Sequence, residues 1–336
     1  MIYWVAPPAE SRSGLAVYAR DLLPFLRQKE EVRWGAPGDA TPKAAERIVY
    51  NIGNHPSSAP ALEQAWDQPD TVLLHDINLH HAVLAAAEPA KYFEDGALPM
   101  DLHASGVWRD ADAVHAPGIA PLMNRQRLIL VHSEYAREVL AMRGVRTPSA
   151  VIPMGVQVPS VRAEKDACSL GLFGHIGTNR GVGEILDACA RIRKNLPGLV
   201  LKVAGQSVPP ELEAAPRVVM RKALSDGEYF EELASATVVL NLRYPVMGET
   251  SLTTLQAMAL GTVCAVYELG AYAELPDNAV LKLRPDGCLD APLEAILKDA
   301  PRRRAMEAAA KAYVGDFHSP RLWADRIWMV LCGSPN

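Results

Sequence analysis

Residues 237–276, TVVLNLRYPVMGETSLTTLQAMALGTVCAVYELGAYAELP, constrain the fold more than any other stretch. The run Val238-Val239-Leu240-Asn241-Leu242 is apolar enough for a strand buried on both faces, and it breaks at Tyr244-Pro245. The chain restarts as a helix whose first turn is Gly248-Glu249-Thr250-Ser251. Leu252, Leu255 and Ala259 share one face of that helix, and Gly261 stops it. A second apolar run, Val263-Cys264-Ala265-Val266, follows at once. Strand, loop, helix and strand in that order predict a βαβ unit of an open parallel sheet.

The same alternation runs through the rest of the chain. Short apolar strands are expected at Ile2–Ala6, Val32–Gly35, Arg47–Ile52, Thr71–Leu74, Leu128–Val131 and Ala150–Gly155. The first helix carries Leu15, Tyr18, Ala19, Leu22 and Leu26 at helical spacing. Ser133 reads as an N-cap, with Arg137 and Arg143 of its helix facing solvent. The polar, proline-containing stretch 156–167 reads as a linker. Beyond it strands recur at Ser169–His175, Leu199–Ala204, Arg217–Met220 and Ala279–Leu283. At 336 residues the chain has room for two such α/β/α domains, expected at 1–157 and 166–317, with a final helix in 318–336.

Composition narrows the function classes. With 49% hydrophobic and 22% charged residues the chain is globular, and a net charge of −5 with mixed signs speaks against a nucleic-acid partner. No apolar run reaches the roughly 20 residues that a bilayer demands. Met1-Ile2-Tyr3-Trp4-Val5 lacks the basic start of a signal peptide, so the expected location is the cytoplasm. The five cysteines show no C-x-x-C spacing and read as structural thiols.

Several polar residues fall at strand ends, where open α/β sheets hold ligands. A helix starting at residues 248–251 presents unpaired N–H groups and the positive end of its dipole, which suits a diphosphate. Arg180 lies in the loop GHIGTNRG after the first strand of the second half; its guanidinium can give a phosphate two bonds. His75 ends the third strand of the first half, followed by Asp76, His80 and His81. Adjacent histidines diverge on a helix and do not form the i, i+4 pair of a metal site. His80 and His81 therefore read as acceptor-side or surface residues. Gly14 sits just beyond the first strand and reads either as a ligand contact or as a tight turn.

The run at 248–276 resembles the donor-binding segment of retaining family 4 glycosyltransferases, usually Glu-x7-Glu followed by Ala-Met-Ala-x-Gly. Here Gln256 replaces the second Glu, and Glu249 sits one position later than that spacing requires. A variant with Gly-Glu-Thr-Ser here and Gly-x-Tyr-Ala-Glu-Leu-Pro downstream matches better. The resemblance implies a GT-B fold, two facing Rossmann-like domains with the last helix crossing back to the first through Phe317-His318-Ser319-Pro320. It also implies that Glu249 and the amides of Thr250 and Ser251 meet the sugar and phosphates, and that Gln256 meets the ribose. Met247 lines the approach. His175 and Arg180 stand where the family has two basic residues on the diphosphate, with Arg221 or Lys222 assisting. His75 falls where the family has a His near the reacting carbon. Asp76 orients it or takes the acceptor hydroxyl. Asp110-Ala111-Asp112 is a DxD triplet of the kind that holds a metal in single-domain glycosyltransferases, but without a preceding apolar strand it reads as a solvated turn.

The expected activity is therefore metal-independent glycosyl transfer with retention, from a nucleotide sugar to a glycan, lipid-linked or small-molecule acceptor. The donor is a substrate, and no cofactor is implied. A lipid-linked acceptor would bring peripheral contact with the inner membrane face, although no basic amphipathic helix demands it. Two rivals share the motifs: a sugar-nucleotide 2-epimerase or hydrolase, and a non-catalytic relative that only binds the nucleotide sugar.

Overall fold

The computed structural model describes residues 1–11, 13–92, 119–205 and 208–333. The Asp110-Ala111-Asp112 triplet lies outside them. The chain divides into two compact units. Unit 1 comprises Met1–Gln157, Met247–Thr250 and His318–Asn336; unit 2 comprises Val158–Val246 and Ser251–Phe317.

Unit 1 is built on a six-stranded sheet of order β2-β1-β3-β4-β5-β6, every pairing parallel. Its strands are β1 (Ile2–Val5), β2 (Val32–Gly35), β3 (Arg47–Ile52), β4 (Thr71–Leu74), β5 (Leu128–Val131) and β6 (Ser149–Val151). Its helices are α1 (Gly14–Leu26), α2 (Ala59–Asp67), α3 (His80–Leu84), α4 (Ala120–Met123), α5 (Glu134–Met142) and the last in the chain, α12 (Pro320–Cys332). Parallel strands covered on both faces need apolar side chains on both, and β1 and β4 are buried at every position. Ser13 caps α1 by accepting from Ala16 N, and Ser133 caps α5 by accepting from Ala136 N. The last helix packs on α1: Trp323 Nε1 donates to Tyr18 Oη at 2.5 Å, and the two rings meet edge to face.

Unit 2 repeats the plan with order β12-β11-β10-β7-β8-β9, again all parallel. Its strands are β7 (Ser169–Phe173), β8 (Val200–Ala204), β9 (Val218–Met220), β10 (Val238–Asn241), β11 (Val263–Tyr267) and β12 (Val280–Leu283). The helices are α6 (Val182–Ile192), α7 (Pro210–Ala214), α8 (Asp226–Ser235), α9 (Leu252–Ala259), α10 (Asp290–Lys298) and α11 (Ala300–Phe317). A capping box starts α8: Ser225 Oγ accepts from Glu228 N while Glu228 Oε2 accepts from Ser225 N. The cysteines are free thiols, and burial pushes that of Cys264 up to about 12, as expected of an inert core residue. Among the described residues no helix is long and apolar enough to cross a membrane.

Candidate functional site

In unit 2 the sheet order creates a switch point. From β7 the chain moves outward to β8 and β9, then returns to the other side of β7 as β10. The loops leaving β7 and β10 therefore diverge at the carboxyl edge, where doubly wound sheets open a crevice. Both carry predicted residues. The loop after β7 turns at Gly174, φ +87°, and runs through His175 to Arg180. The loop after β10 leads into α9, where Ser251 accepts from Thr254 N at 3.2 Å as N-cap.

Arg180 is buried to 1% exposure. Its Nη1 donates to His175 O at 3.2 Å, and its Nη2 reaches across the switch point to Leu240 O at 3.0 Å. Tyr244 N donates to Asn179 O at 2.9 Å, a stitch between the loops after β7 and β10. The guanidinium also lies close enough to Tyr229 to favour ionisation of its phenol, which burial opposes more strongly. Nearby, Tyr229 Oη and Thr253 Oγ1 are 3.2 Å apart. Asn241, the fully buried last residue of β10, keeps its Nδ2 closed from solvent with no hydrogen-bond partner among the described residues. The same holds for Thr254 Oγ1 in the first turn of α9. Buried polar atoms left unpaired are costly, so these two mark where a polar ligand would be welcome.

The other unit 2 candidates are placed less centrally. His175 is exposed, and Gln256 is buried within α9. Arg221 pairs with Glu232 at 2.8 Å and Lys222 with Glu213 at 2.6 Å, so both cations already have carboxylate partners.

In unit 1 the parallel register of β3, β4 and β5 assembles a chain of hydrogen bonds that the sequence alone did not reveal. His75 and His132 each follow the last residue of a strand, and the pairing of Leu73 with Leu130 sets the two rings side by side. His75 Nε2 lies 2.5 Å from Asn51 Oδ1, and its Nδ1 lies 3.2 Å from His132 Nε2. His132 Nδ1 donates to Ile152 O at 2.8 Å, and Asn51 Nδ2 donates to Leu15 O at 3.1 Å. Both ring nitrogens of His75 are thus engaged inside the unit. Tyr18 stands edge-on to His75 with centroids 4.7 Å apart. Burial first, and then the neighbouring His132, holds His75 well below the usual imidazole value. Burial pushes His132 down to about 4, against the raising effect of the Ile152 carbonyl.

The segment Met247–Thr250 belongs to this unit. Ile77 N and Asn78 N both donate to Met247 O, at 3.0 and 3.3 Å. Glu249 is buried, and its Oε2 accepts from Met247 N at 2.6 Å. Thr250 Oγ1 is closed from solvent and has no partner among the described residues. Asp76 Oδ2 accepts from Asn54 N at 2.8 Å, tying the loop after β3 to the loop after β4. Gly14, in the first turn of α1, has neither a positive φ nor a neighbour within 4 Å of an added Cβ.

One expectation is narrowed and one corrected. Of the two readings of His80, surface and acceptor-side, its burial in α3 with its ring edge-on to His81 removes the first. Arg143 does not face solvent: as the C-cap of α5 it folds back, and its Nη1 donates to Ile77 O at 3.1 Å and to Asn78 Oδ1 at 3.3 Å. Among the described residues no three His, Cys, Asp or Glu side chains converge as a metal site would require.

No family model and no curated protein sequence matches the chain. Solved structures do. Sucrose-phosphate synthase from Thermosynechococcus elongatus aligns over 98% of this chain and 97% of its own, with 15% identity and a TM-score of 0.70. WaaG, a glycosyltransferase involved in lipopolysaccharide biosynthesis, aligns over 99% and 100%, with 15% identity and a TM-score of 0.64. HepE of Anabaena in complex with UDP-glucose aligns over 99% of both chains, with 14% identity and a TM-score of 0.66. The chain therefore has the GT-B fold that these glycosyltransferases share.

Proposed function

We propose that the protein is a retaining glycosyltransferase of the family 4 type, taking a sugar from a nucleoside diphosphate sugar. The observation that carries this reading is the unit 2 switch point. There Arg180 Nη2 reaches Leu240 O of β10, the strand whose following loop leads into α9, and Asn241 Nδ2 and Thr254 Oγ1 are buried without partners among the described residues. The fold is shared with a protein crystallised with UDP-glucose, which supports a nucleotide sugar as the ligand.

In this reading the amides at the start of α9 and the guanidinium of Arg180 stabilise the leaving diphosphate, whose charge grows in the transition state. These groups can meet the diphosphate charge without a metal. Arg180 acts from within the protein, its field reaching the phosphates while its Nη atoms tie the loop after β7 to strand β10. The family resemblance assigns Glu249 and His75, both of unit 1, to the sugar. Because Asn51 and His132 already engage His75, a sugar hydroxyl at Nε2 takes the place of Asn51 Oδ1. The bond between the anomeric carbon and the diphosphate oxygen breaks, and the acceptor oxygen bonds that carbon on the same face. The acceptor's proton passes to the departing phosphate oxygen. Gly14 leaves room at the end of β1 for a ligand to approach.

A thermal-shift screen over UDP, GDP and ADP sugars tests the reading. A donor at 100 times its dissociation constant stabilises the fold by about 2.7 kcal/mol. Conversion of that donor without any acceptor would replace transfer by epimerisation or hydrolysis. Absence of a shift with every nucleotide sugar would remove the reading altogether.

A further inference from the structure

Arg143 carries a feature of unit 1 that neither the fold nor the glycosyl-transfer reading uses. Its Nη1 is fixed by Ile77 O and Asn78 Oδ1. Its Nε and Nη2 are both closed from solvent and have no hydrogen-bond partner among the described residues. In a guanidinium Nη1 lies on the Cδ side, so Nε–H and the adjacent Nη2–H form the opposite edge. That edge meets a carboxylate or phosphate with two parallel bonds. Burial lowers the guanidinium's pKa, yet an arginine side chain stays charged. A charged fork, held by its other edge and with no carboxylate paired to it among the described residues, is therefore built into the unit.

Its surroundings connect it to the candidate residues. Asn78, which accepts from Arg143, donates its Nδ2 to Met247 Sδ at 3.4 Å. Tyr135 feels both Arg143, which favours ionisation of its phenol, and Glu249, which opposes it. The open fork thus lies close to the segment that bears Glu249, all within unit 1.

We propose that Arg143 binds an oxyanion, a carboxylate or phosphate monoester, carried by the acceptor. This rests on the glycosyl-transfer reading for the word acceptor, but the anion site itself does not. The test compares wild type, Arg143→Gln and the control Arg137→Gln, an exposed residue of α5 paired with Glu134. Each is titrated calorimetrically with glucose 6-phosphate, glucuronate, inorganic phosphate and neutral glucose, and separately with UDP-glucose. The expected result is that a sugar anion binds wild type and Arg137→Gln, binds Arg143→Gln about tenfold more weakly or worse, and outcompetes inorganic phosphate. Neutral glucose should bind no variant measurably. The Nε–H resonance of Arg143 in wild type should shift on adding the anion, which requires no variant to fold. Equal binding by wild type and Arg143→Gln, an unmoved resonance, or no anion binding below about 10 mM would overturn the proposal. Equal affinity for free phosphate and sugar phosphate would overturn the acceptor assignment. Failure of UDP-glucose alone, with anion binding intact, would fall on the transferase reading and leave the anion site standing.

Discussion

His75 Nδ1 and His132 Nε2 face each other at 3.2 Å, and every other partner of the two rings accepts. Ile152 O requires a proton on His132 Nδ1, and Asn51 Oδ1, whose amide nitrogen is given to Leu15 O, requires one on His75 Nε2. Two neutral imidazoles have then spent their N–H groups, and two lone pairs meet between the rings. One proton placed there would satisfy the contact, but among the described residues no carboxylate hydrogen-bonds either ring. Burial wins, and both rings are neutral at pH 7.

That neutrality predicts acid sensitivity. A base whose folded pKa is depressed takes up fewer protons folded than unfolded, so stability rises with pH across the interval between the two values. For His132, with an ordinary value of 6.5 and a folded value of about 4, the contribution is fully present above pH 6.5 and is lost as pH falls toward 4. The loss from this group is about 3 kcal/mol. Denaturant unfolding at pH 7.5 and pH 5 should show about 2 kcal/mol of that drop from His132 in wild type, a flatter profile in His132→Gln, and a flatter one still when His75 is also replaced by Gln. An equally steep profile in all three would remove the pair as its source.

Arg180 was expected to be a cation facing phosphates, and its burial adds a second consequence of removing it. Arg180→Ala leaves Leu240 O, in the buried strand β10, without the Arg180 donor, at about 1–3 kcal/mol. The transfer barrier should rise separately by about 2–4 kcal/mol, the scale of losing one oxyanion donor. Unfolding measured beside single-turnover kinetics separates the two effects. Turnover near the wild-type rate in a folded variant would exclude Arg180 from transition-state stabilisation.

The strands were legible because each is a run of apolar residues between turn signals, and the pairing of two similar halves followed from that alternation. Individual partners were not. Asn51, His75 and His132 become neighbours only through the register of three strands, and 57 residues separate the two histidines. The readable hint was that His75 and His132 occupy the same place, one residue past a buried strand. Arg143 was misread for a different reason. Helical periodicity places it on the outer face of α5, but it is the C-cap, where the backbone departs from the helix and lets the side chain turn back to Ile77 O. The carbonyl partners of Arg180 were equally invisible, because a main-chain oxygen leaves no mark on composition or spacing.

The hold of α12 on unit 1 predicts a graded response at Trp323. Its indole donates to Tyr18 Oη and its ring is buried against Trp4. Trp323→Phe keeps most of the ring but leaves the buried Tyr18 Oη without its indole donor, for about 1–3 kcal/mol. Trp323→Ala also opens a cavity and should cost about 3–5 kcal/mol. Equilibrium unfolding of both variants checks the ratio, and equal losses would show that the polar contact dominates.

Gly248 should tolerate no side chain, for two separable reasons. Its φ is +75°, where an L-residue costs about 1–2 kcal/mol. A Cβ built there would also lie 2.0 Å from Ile77 Cγ1, an overpacking of about 1–3 kcal/mol. Ile77→Ala removes the second cost and leaves the first, so Gly248→Ala should be cheaper by the overpacking share in that background. The strain falls on the segment Met247–Thr250, whose Met247 O accepts from Ile77 N and Asn78 N. Release of that segment would speed hydrogen exchange at those two amides in Gly248→Ala while the amides of β3 and β4 stay protected. Unchanged exchange at Ile77 and Asn78, or an undiminished penalty in the Ile77→Ala background, would show that the Gly248 contact does not hold the segment in place.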